Sequence, residues 1–177
     1  ARQSGGALNV INSVSLDDYI QGVVPGEVPA SWPPAALRAQ AIAARSYALA
    51  TDANGAGFDQ YDDTRSQVYG GVGVEQPSTN KAVRETSDQV VKYKGDVIAT
   101  FFFSSSGGRT ENVEYGFPGG EPKPYLKAVK DPYDDAAPLH RWQMTFSRAE
   151  IESKLGGLVR GKLRAINVTK RGASPRI

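Results

Sequence analysis

The chain has 177 residues, of which 40% are hydrophobic and 23% are charged, and this composition is typical of a folded globular protein. Its 21 basic and 19 acidic side chains leave a formal net charge of +2, which is too balanced for a dedicated nucleic-acid-binding protein. The absence of cysteine excludes disulfides, zinc–thiolate sites, iron–sulfur clusters and cysteine nucleophiles. A single histidine excludes metal sites built on two histidines, and no apolar run reaches the ~18 residues that span a membrane.

The first part of the sequence predicts one short strand followed by two helices. Residues 7–11 have the composition of a strand. Ser15 and Asp18 then form a helix-start pattern, which predicts a helix over 16–24 that stops at a proline–glycine pair. Two prolines next introduce an alanine-rich helix over about 33–51, because proline is tolerated in a first helical turn and alanine is the best helix former.

The later elements are mostly short strands. They are predicted at 90–93, 97–103, 125–129, 142–146 and 165–170, with a hairpin turn at 94–96. Two further helices are expected, one over 79–86 and one that follows a capping box at Ser147 and runs to residue 155. Helices and strands do not alternate regularly, so the sequence predicts an α+β fold rather than a doubly wound parallel sheet.

Arg45 lies at the edge of the apolar stripe of the alanine-rich helix. Leu37, Ala41, Ala44 and Ala48 recur at helical spacing and share one face. At 3.6 residues per turn, Arg45 lies roughly 80° from the centre of that face. We therefore expect a boundary residue that points along the surface into a cleft.

Glu27 is a lone carboxylate in a stretch, residues 22–29, that is otherwise apolar or helix-breaking. Apolar surroundings disfavour the ionised carboxyl and raise its pKa. A carboxylic acid that is protonated near neutral pH can act as a general acid at a glycosidic oxygen. The alternative is an exposed carboxylate on a turn, where it interacts with the N-terminal dipole of the following helix.

A second candidate is the loop that follows the aromatic residues 101–103. Small hydroxyl residues and two glycines succeed one another there, so backbone N–H groups and hydroxyls are offered without bulk. A polar ligand could approach such a loop closely. The alternatives are a buried strand that ends in a turn and, with less support, a phosphate cradle, since no GKS-type run follows.

Other residues carry weaker signals. The amide of Gln67 could bind an acetamido group of a sugar, or the residue could simply belong to a turn. Asp59, Asp62 and Asp63 lack the ordered spacing of a calcium-binding EF-hand. No serine-hydrolase elbow accompanies His140, so we expect it to be a surface or edge residue.

Several motifs resemble the stage II sporulation protein D (SpoIID/LytB) family. They are LDDYIQGVVPGEVP at 16–29 with Trp32-Pro33, ALRAQAIAARSYA at 36–48, QVYGG at 67–71, SSSGGRT at 104–110 and PYLKAV at 124–129. The resemblance runs in consecutive order over about 16–131. The remainder is similar to the family's C-terminal region, cut short, so one domain over 1–177 is expected.

The resemblance implies a lytic transglycosylase of peptidoglycan. Such enzymes cleave the β-1,4 bond between N-acetylmuramic acid and N-acetylglucosamine, leave 1,6-anhydro ends, and in sporulation prefer strands without stem peptides. The family's catalytic glutamate falls on Glu27 and its helix arginine on Arg45, while a tyrosine and a lysine of a later strand fall on Tyr125 and Lys127. Gln67, Ser104, Ser105, Ser106, Gly107 and Gly108 are expected to line the sugar cleft with them.

Two departures from the family pattern bear on function. Some members carry a Thr-His-Cys-Gln run where this chain has residues 64–67 with arginine and serine in the middle, so no metal is expected there. Some also have a histidine where this chain has Phe102 or Phe103. The resemblance therefore predicts no cofactor, and it leaves open a non-catalytic amidase enhancer or a glycan-binding module.

The resemblance also predicts an extracytoplasmic location, with glycan strands and a cell-wall amidase as the expected partners. The chain begins without methionine, and we expect a mature or excised fragment. Its C-terminal part is basic through Lys162, Arg164, Lys170, Arg171 and Arg176. Such charges usually form a solvated face, and here they could also favour anionic cell-wall polymers.

Overall fold

The computed structural model describes residues 2–4, 7–54, 57–117, 119–158 and 160–174. The chain divides into two compact units, residues 1–102 and 103–177. Helices and short antiparallel strands occur together, which confirms the predicted mixture of α and β structure. Within the described ranges, no helix is both long and apolar enough to span a membrane.

Helix α1 covers Leu16–Glu27 and is longer than the sequence predicts. The Ser15 hydroxyl caps it by accepting from the Asp18 N–H at 3.2 Å. The expected stop at Pro25 is wrong, because the helix continues past this proline to Glu27. It ends where Pro29 restricts the preceding Val28 to an extended conformation, with φ −139° and ψ 145°.

Helices α2 (Pro34–Ala50) and α3 (Pro77–Glu85) pack with α1 around the hydrophobic core of the first unit. Both predictions of these helices are confirmed, and the apolar stripe of α2 faces the core as expected. The buried apolar residues are Ile20, Val23, Val24, Val28, Leu37, Ala41, Ala44, Ala82 and Val83. Alanine on α2 lets the neighbouring helix backbones approach closely.

Two antiparallel hairpins complete the strands of the first unit. Strands β1 (Arg2–Ser4) and β2 (Ala7–Asn9) pair, as do β3 (Lys92–Tyr93) and β4 (Asp96–Val97). The turn residues Lys94 and Gly95 both have positive φ, at 53° and 98°, as a two-residue hairpin turn requires.

The strands predicted at 90–93 and 97–103 are much shorter than expected. Residues next to the two short strands form hydrogen bonds with helix α2 instead of continuing the pairing between the strands. The Val91 N–H donates to the Ser46 hydroxyl at 2.9 Å, and the Thr100 hydroxyl donates to the Ala43 carbonyl at 2.7 Å. Residues 101–103 accordingly form no aromatic strand.

The second unit contains helices α4 (Val113–Gly116) and α5 (Arg148–Leu155). The capping box of α5 is confirmed, with reciprocal hydrogen bonds between Ser147 and Glu150. The strands predicted at 125–129, 142–146 and 165–170 do not form. Residues 126–131 do lie against 108–113, where the described residues form one isolated bridge between Arg109 and Lys130 and the Thr110 N–H donates to the Val129 carbonyl at 2.9 Å. The Ala128 and Val129 N–H groups, however, donate to the side chains of Asn112 and Thr110, so no regular ladder forms.

One close approach positions the segment 67–71 against α1. The Gly70 N–H donates to the Gly22 carbonyl at 3.0 Å, and the Tyr69 ring occupies the space where Gly22 lacks a side chain. Tyr69 is itself fixed by stacking on Tyr19 and by a hydrogen bond from Asn12. Glycine is therefore required at position 22 for packing rather than for its own backbone conformation.

Replacing Gly22 by alanine is expected to destabilise the chain by about 1 kcal/mol or more. The methyl group would overlap the Tyr69 ring, and overpacking costs about 1–3 kcal/mol, which exceeds the helix-propensity gain of about 1 kcal/mol. Urea denaturation measures the change, with Gly73→Ala as the control because a methyl group there meets open space. Equal or higher stability of Gly22→Ala would contradict the close packing.

Candidate functional site

Glu27 is the last residue of α1, where it is half-buried. Burial raises the pKa of its carboxyl above the ordinary value, in agreement with its apolar neighbours in the sequence. The carboxyl also lies at the negative end of the helix dipole, and the last turn contains no basic residue. The alternative of a carboxylate at a helix N-terminus is therefore wrong, and the site favours a protonated acid.

The Tyr19 phenol is near enough to the Glu27 carboxyl to interact with it electrostatically. The Tyr19 and Tyr69 rings stack with centroids 5.2 Å apart. Burial raises the pKa of Tyr19, and Tyr47, Tyr69 and the Glu27 carboxyl raise it further. Among the described residues, none forms a hydrogen bond or ion pair with the Glu27 carboxyl, so no cation there favours its ionised form.

Gln67 is buried beside these rings, with 3% of its surface exposed. Its amide oxygen accepts from the Tyr19 hydroxyl at 3.4 Å, and its amide nitrogen donates to the Ala44 carbonyl at 3.4 Å. Both ends of the amide thus contact protein groups. The sugar-binding role of Gln67 stays a prediction, and the structure shows a residue that links the segment 67–71 to α1 and α2.

Arg45 does not lie at a surface boundary, and this expectation is wrong. Its side chain is only 1% exposed, and it sits where α1, α2 and α3 meet. The helical angle places it beside the apolar stripe, but α3 and the residues after it cover that side of α2. A catalytic role for Arg45 stays a prediction.

All five guanidinium N–H groups of Arg45 have acceptors. Nε and Nη2 donate to Asp17 Oδ1 at 3.1 and 2.8 Å, and Nη2 also donates to the Val83 carbonyl at 3.1 Å. Nη1 donates to the Thr86 hydroxyl at 3.5 Å and to the Gln89 carbonyl at 3.3 Å. Although burial alone would raise it, the hydrogen bonds from Ser87 and Arg45 hold the pKa of Asp17 below its ordinary value.

The loop 104–108 binds a carboxylate of its own unit. Asp134, buried with 7% exposure, accepts from the Gly107 N–H at 2.8 Å, from the Ser106 N–H and from the Ser105 hydroxyl at 3.2 Å. His140 Nδ1 lies 2.7 Å from the same carboxylate. Two backbone N–H groups that were expected to face a sugar are therefore occupied, and His140 is a partly buried anchor rather than a surface residue.

Tyr125 and Lys127 lie outside any regular strand. Tyr125 is in a turn, and Lys127 Nζ forms an ion pair with Glu114 Oε1 at 3.0 Å. A ligand that bound Lys127 would have to compete with this carboxylate. The substrate-binding roles of both residues, and their sharing of one cleft with Glu27, stay predictions.

The acidic loop 59–64 offers little to a cation. Both carboxylate oxygens of Asp63 accept from the Arg65 guanidinium, which lowers the pKa of Asp63 to about 2. Within the described part of the chain, no three His, Asp or Glu side chains converge as metal ligands would.

A shallow depression of about 420 Å³ lies at the start of α1. It is lined by Ser15, Leu16, Asp17, Arg45, Leu49, Asp88, Val90, Lys92 and Val97. The 12 residues of α1 span roughly 18 Å, so this depression is at the opposite end of the helix from Glu27. It is therefore distinct from the surroundings of the candidate acid.

Sequence reasoning missed the residues that fix the candidate site. Asp134 lies in no quoted motif and acts on a loop about 28 positions away, so it carries no local signal. Asp17, Tyr19 and Tyr69 fall within the motifs at 16–29 and 67–71, and their presence in those motifs was the available signal.

Removing the Arg45–Asp17 pair should destabilise the first unit. We expect Arg45→Met to cost about 3 kcal/mol, because buried acceptors lose their donors, and to couple to Asp17→Asn by more than about 1 kcal/mol in a double-mutant cycle. Urea denaturation measures each variant. The exposed Arg38–Glu85 pair is the control, with an expected coupling below about 0.5 kcal/mol.

A coupling between Arg45 and Asp17 no larger than that of the control pair would contradict the structural role. A free energy of unfolding of Arg45→Met equal to that of the parent would also contradict the structural role of this pair.

Asp134 should contribute an acid-sensitive part of the stability of the second unit. Burial opposes it, but the hydrogen bonds from His140 and the loop hold the pKa of Asp134 well below the ordinary value of 3.8. The ionised Asp134 therefore stabilises the unit fully at pH values above 3.8, the ordinary pKa of the carboxyl. This stabilisation is lost as the pH falls below 3.8 toward the lower pKa of the folded state. Asp134→Asn should be less stable at neutral pH and lose less stability on acidification.

The measurement is urea denaturation at several pH values, followed by Trp142 fluorescence in a Trp32→Phe background. The exposed neighbour Asp135 provides the control variant Asp135→Asn, which should behave as the parent does. An acid dependence of Asp134→Asn identical to that of the parent would contradict the assignment.

Comparisons with known proteins agree with this arrangement of motifs. The family model described as Stage II sporulation protein matches residues 4–93, which include Glu27, Arg45 and Gln67. An uncharacterized protein of Brachyspira hyodysenteriae is 39% identical over 149 residues, which cover 82% of this chain and 40% of that protein.

Two relatives from Bacillus subtilis carry functional names. The amidase enhancer is 39% identical over 135 residues, which cover 76% of this chain and 18% of the relative. Stage II sporulation protein D is 34% identical over 163 residues, which cover 82% of this chain and 47% of the relative. The chain thus spans less than half the length of each of these three relatives. The chain belongs to the stage II sporulation protein D family.

Proposed function

We propose that the chain is a peptidoglycan lytic transglycosylase in which Glu27 is the only acid and base. Family membership supports a role at the cell wall. The observation that carries the finer proposal is the setting of Glu27, a half-buried carboxyl with a raised pKa and, among the described residues, no cationic partner. A raised pKa extends the pH range over which the carboxyl carries the proton that it would donate.

The proposed reaction needs one carboxyl rather than two. Ordinary glycosidases use a second carboxylate to activate water or to attack the sugar. Here Glu27 donates its proton to the glycosidic oxygen as the bond from that oxygen to the anomeric carbon breaks. The 6-hydroxyl of the same N-acetylmuramic acid then bonds to the anomeric carbon and returns its proton to Glu27. No water is consumed, and the product carries a 1,6-anhydro end.

The other predicted residues receive two kinds of role in this proposal. Arg45 acts through position, because its contacts hold α1, and therefore Glu27, against α2 and α3. Tyr125, Lys127 and the loop 104–108 are proposed to contact the glycan, and Gln67 to face its acetamido group. We place the protein outside the cytoplasm, at the wall, where its polymeric substrate is.

A second candidate function is that of a non-catalytic amidase enhancer or glycan-binding module. The relative named amidase enhancer supports it, at 39% identity over 135 residues. The internal use of the Ser106 and Gly107 N–H groups by Asp134 also favours it, since fewer loop donors are then free for a sugar. A cell-wall amidase would be the partner in that case.

Glycan strands without stem peptides, incubated with the chain, should yield 1,6-anhydro-ended fragments that mass spectrometry identifies. Glu27→Gln should reduce their formation at least about 10³-fold, because the only proton donor is lost. Glu85→Gln is the matched control and should retain activity, since Glu85 is an exposed ion-pair partner of Arg38. Absence of anhydro fragments with the parent chain, together with stimulation of an added amidase, would establish the second candidate instead.

The rate of cleavage should fall as the pH rises through the pKa of Glu27, because only the protonated carboxyl can donate. Since burial raises that pKa above 4.5, full activity should persist at pH values above 4.5 before the decline begins. Initial rates measured across the pH range, at glycan concentrations well below KM, give the midpoint for the free protein. A midpoint at or below 4.5 would contradict the proposed state of the acid.

A further inference from the structure

The chain from residue 141 onward is strongly basic. Its last 37 residues contain nine Lys or Arg and two Glu, a net charge of +7, whereas the preceding 140 residues carry −5. The balanced total of +2 therefore conceals two regions of opposite sign. Charge of one sign concentrated on one region attracts polymers of the other sign.

Five cations in the described part of this region are exposed: Arg160, Lys162, Arg164, Lys170 and Arg171. Within the described ranges, none of them forms an ion pair, and Lys170 instead lies over the Tyr115 ring at 4.7 Å. Their charges are available to a ligand.

The nearby carboxylates hold the backbone of this segment rather than its basic side chains. Glu152 Oε1 accepts from the Leu163 N–H at 2.6 Å. Glu111 accepts from the Ala173 and Ser174 N–H groups at 2.9 and 3.0 Å. Backbone hydrogen bonds thus hold the segment 160–171 at Leu163 and just beyond its end, while its cations form no ion pairs with these carboxylates.

We infer that the segment 160–171 binds an anionic phosphodiester polymer of the cell wall, an inference that rests on the proposed location at the wall. The cations are spread over the whole segment, from Arg160 to the adjacent pair Lys170 and Arg171, which suits a ligand with repeated charges better than one compact anion. Arginine can bind phosphate oxygens in bidentate fashion, and lysine adds point charges. Such an attachment would retain the enzyme on the wall while Glu27 acts on the glycan.

The test is cosedimentation of the chain with cell-wall sacculi that carry poly(glycerol phosphate), compared with the same sacculi after the polymer is removed by hydrofluoric acid. The test variant replaces Lys162, Arg164, Lys170 and Arg171 by glutamine. The control variant makes the same change in net charge in the first unit, at Lys81, Arg84, Lys92 and Lys94. Circular dichroism verifies that each variant is folded.

We expect the parent and the control variant to bind the polymer-bearing sacculi, with weaker binding at high salt. The test variant should bind about 10²- to 10³-fold more weakly, as the loss of four cations at about 1 kcal/mol each near an anionic surface implies. Equal binding to stripped sacculi, equal binding of the test variant, or preferential binding of soluble duplex DNA over soluble poly(glycerol phosphate) would overturn the inference.

Failure of this inference is distinguishable from failure of the proposed function. Glu27→Gln should bind the polymer-bearing sacculi as the parent does but should not cleave them. The test variant should cleave stripped glycan as the parent does, because its changed residues lie outside the proposed catalytic machinery. A test variant that lost cleavage of stripped glycan would overturn the assignment of 160–171 to attachment alone.

Discussion

A buried guanidinium joins the three helices that form the first unit. Arg45 on α2 binds Asp17 at the start of α1 and the backbone carbonyls of Val83 and Gln89 at and beyond the end of α3. Burying this charge is favourable only because every N–H group finds an acceptor. The pair fixes the start of α1, and the contact between Gly22 and Tyr69 fixes its middle, so the helix presents Glu27 at its far end in one defined position.

The fold was predictable where local signals were sufficient. The three longest helices follow from caps, prolines and apolar spacing, and only the end of α1 was misplaced, because Pro29 rather than Pro25 determines it. The strands were not predictable, since a strand requires partners that periodicity does not reveal. Alternating apolar residues at 142–146 remain exposed without forming a strand, and Val91 pairs with a helix side chain.

The candidate site shows the same division between local and distant causes. The raised pKa of Glu27 follows from its apolar, rigid neighbours in the sequence. The neighbouring sequence does not predict the burial of Arg45 or the binding of a carboxylate by the loop 104–108. The partners in these contacts, Asp17 and Asp134, are distant in the chain. Helical geometry gives the direction in which a side chain points, but the element that covers it comes from elsewhere in the fold.

The central claim is that burial at the C-terminal end of α1 raises the pKa of the Glu27 carboxyl above the ordinary value, which favours its proton-donating form. A carbon-13 NMR titration of the glutamate side chains, with the Glu27 signal assigned by its absence in Glu27→Gln, measures this directly. The account predicts a midpoint for Glu27 above 4.5 in the absence of any substrate. A midpoint at or below 4.5 would show a carboxyl that is ionised like any surface glutamate, and would contradict the claim.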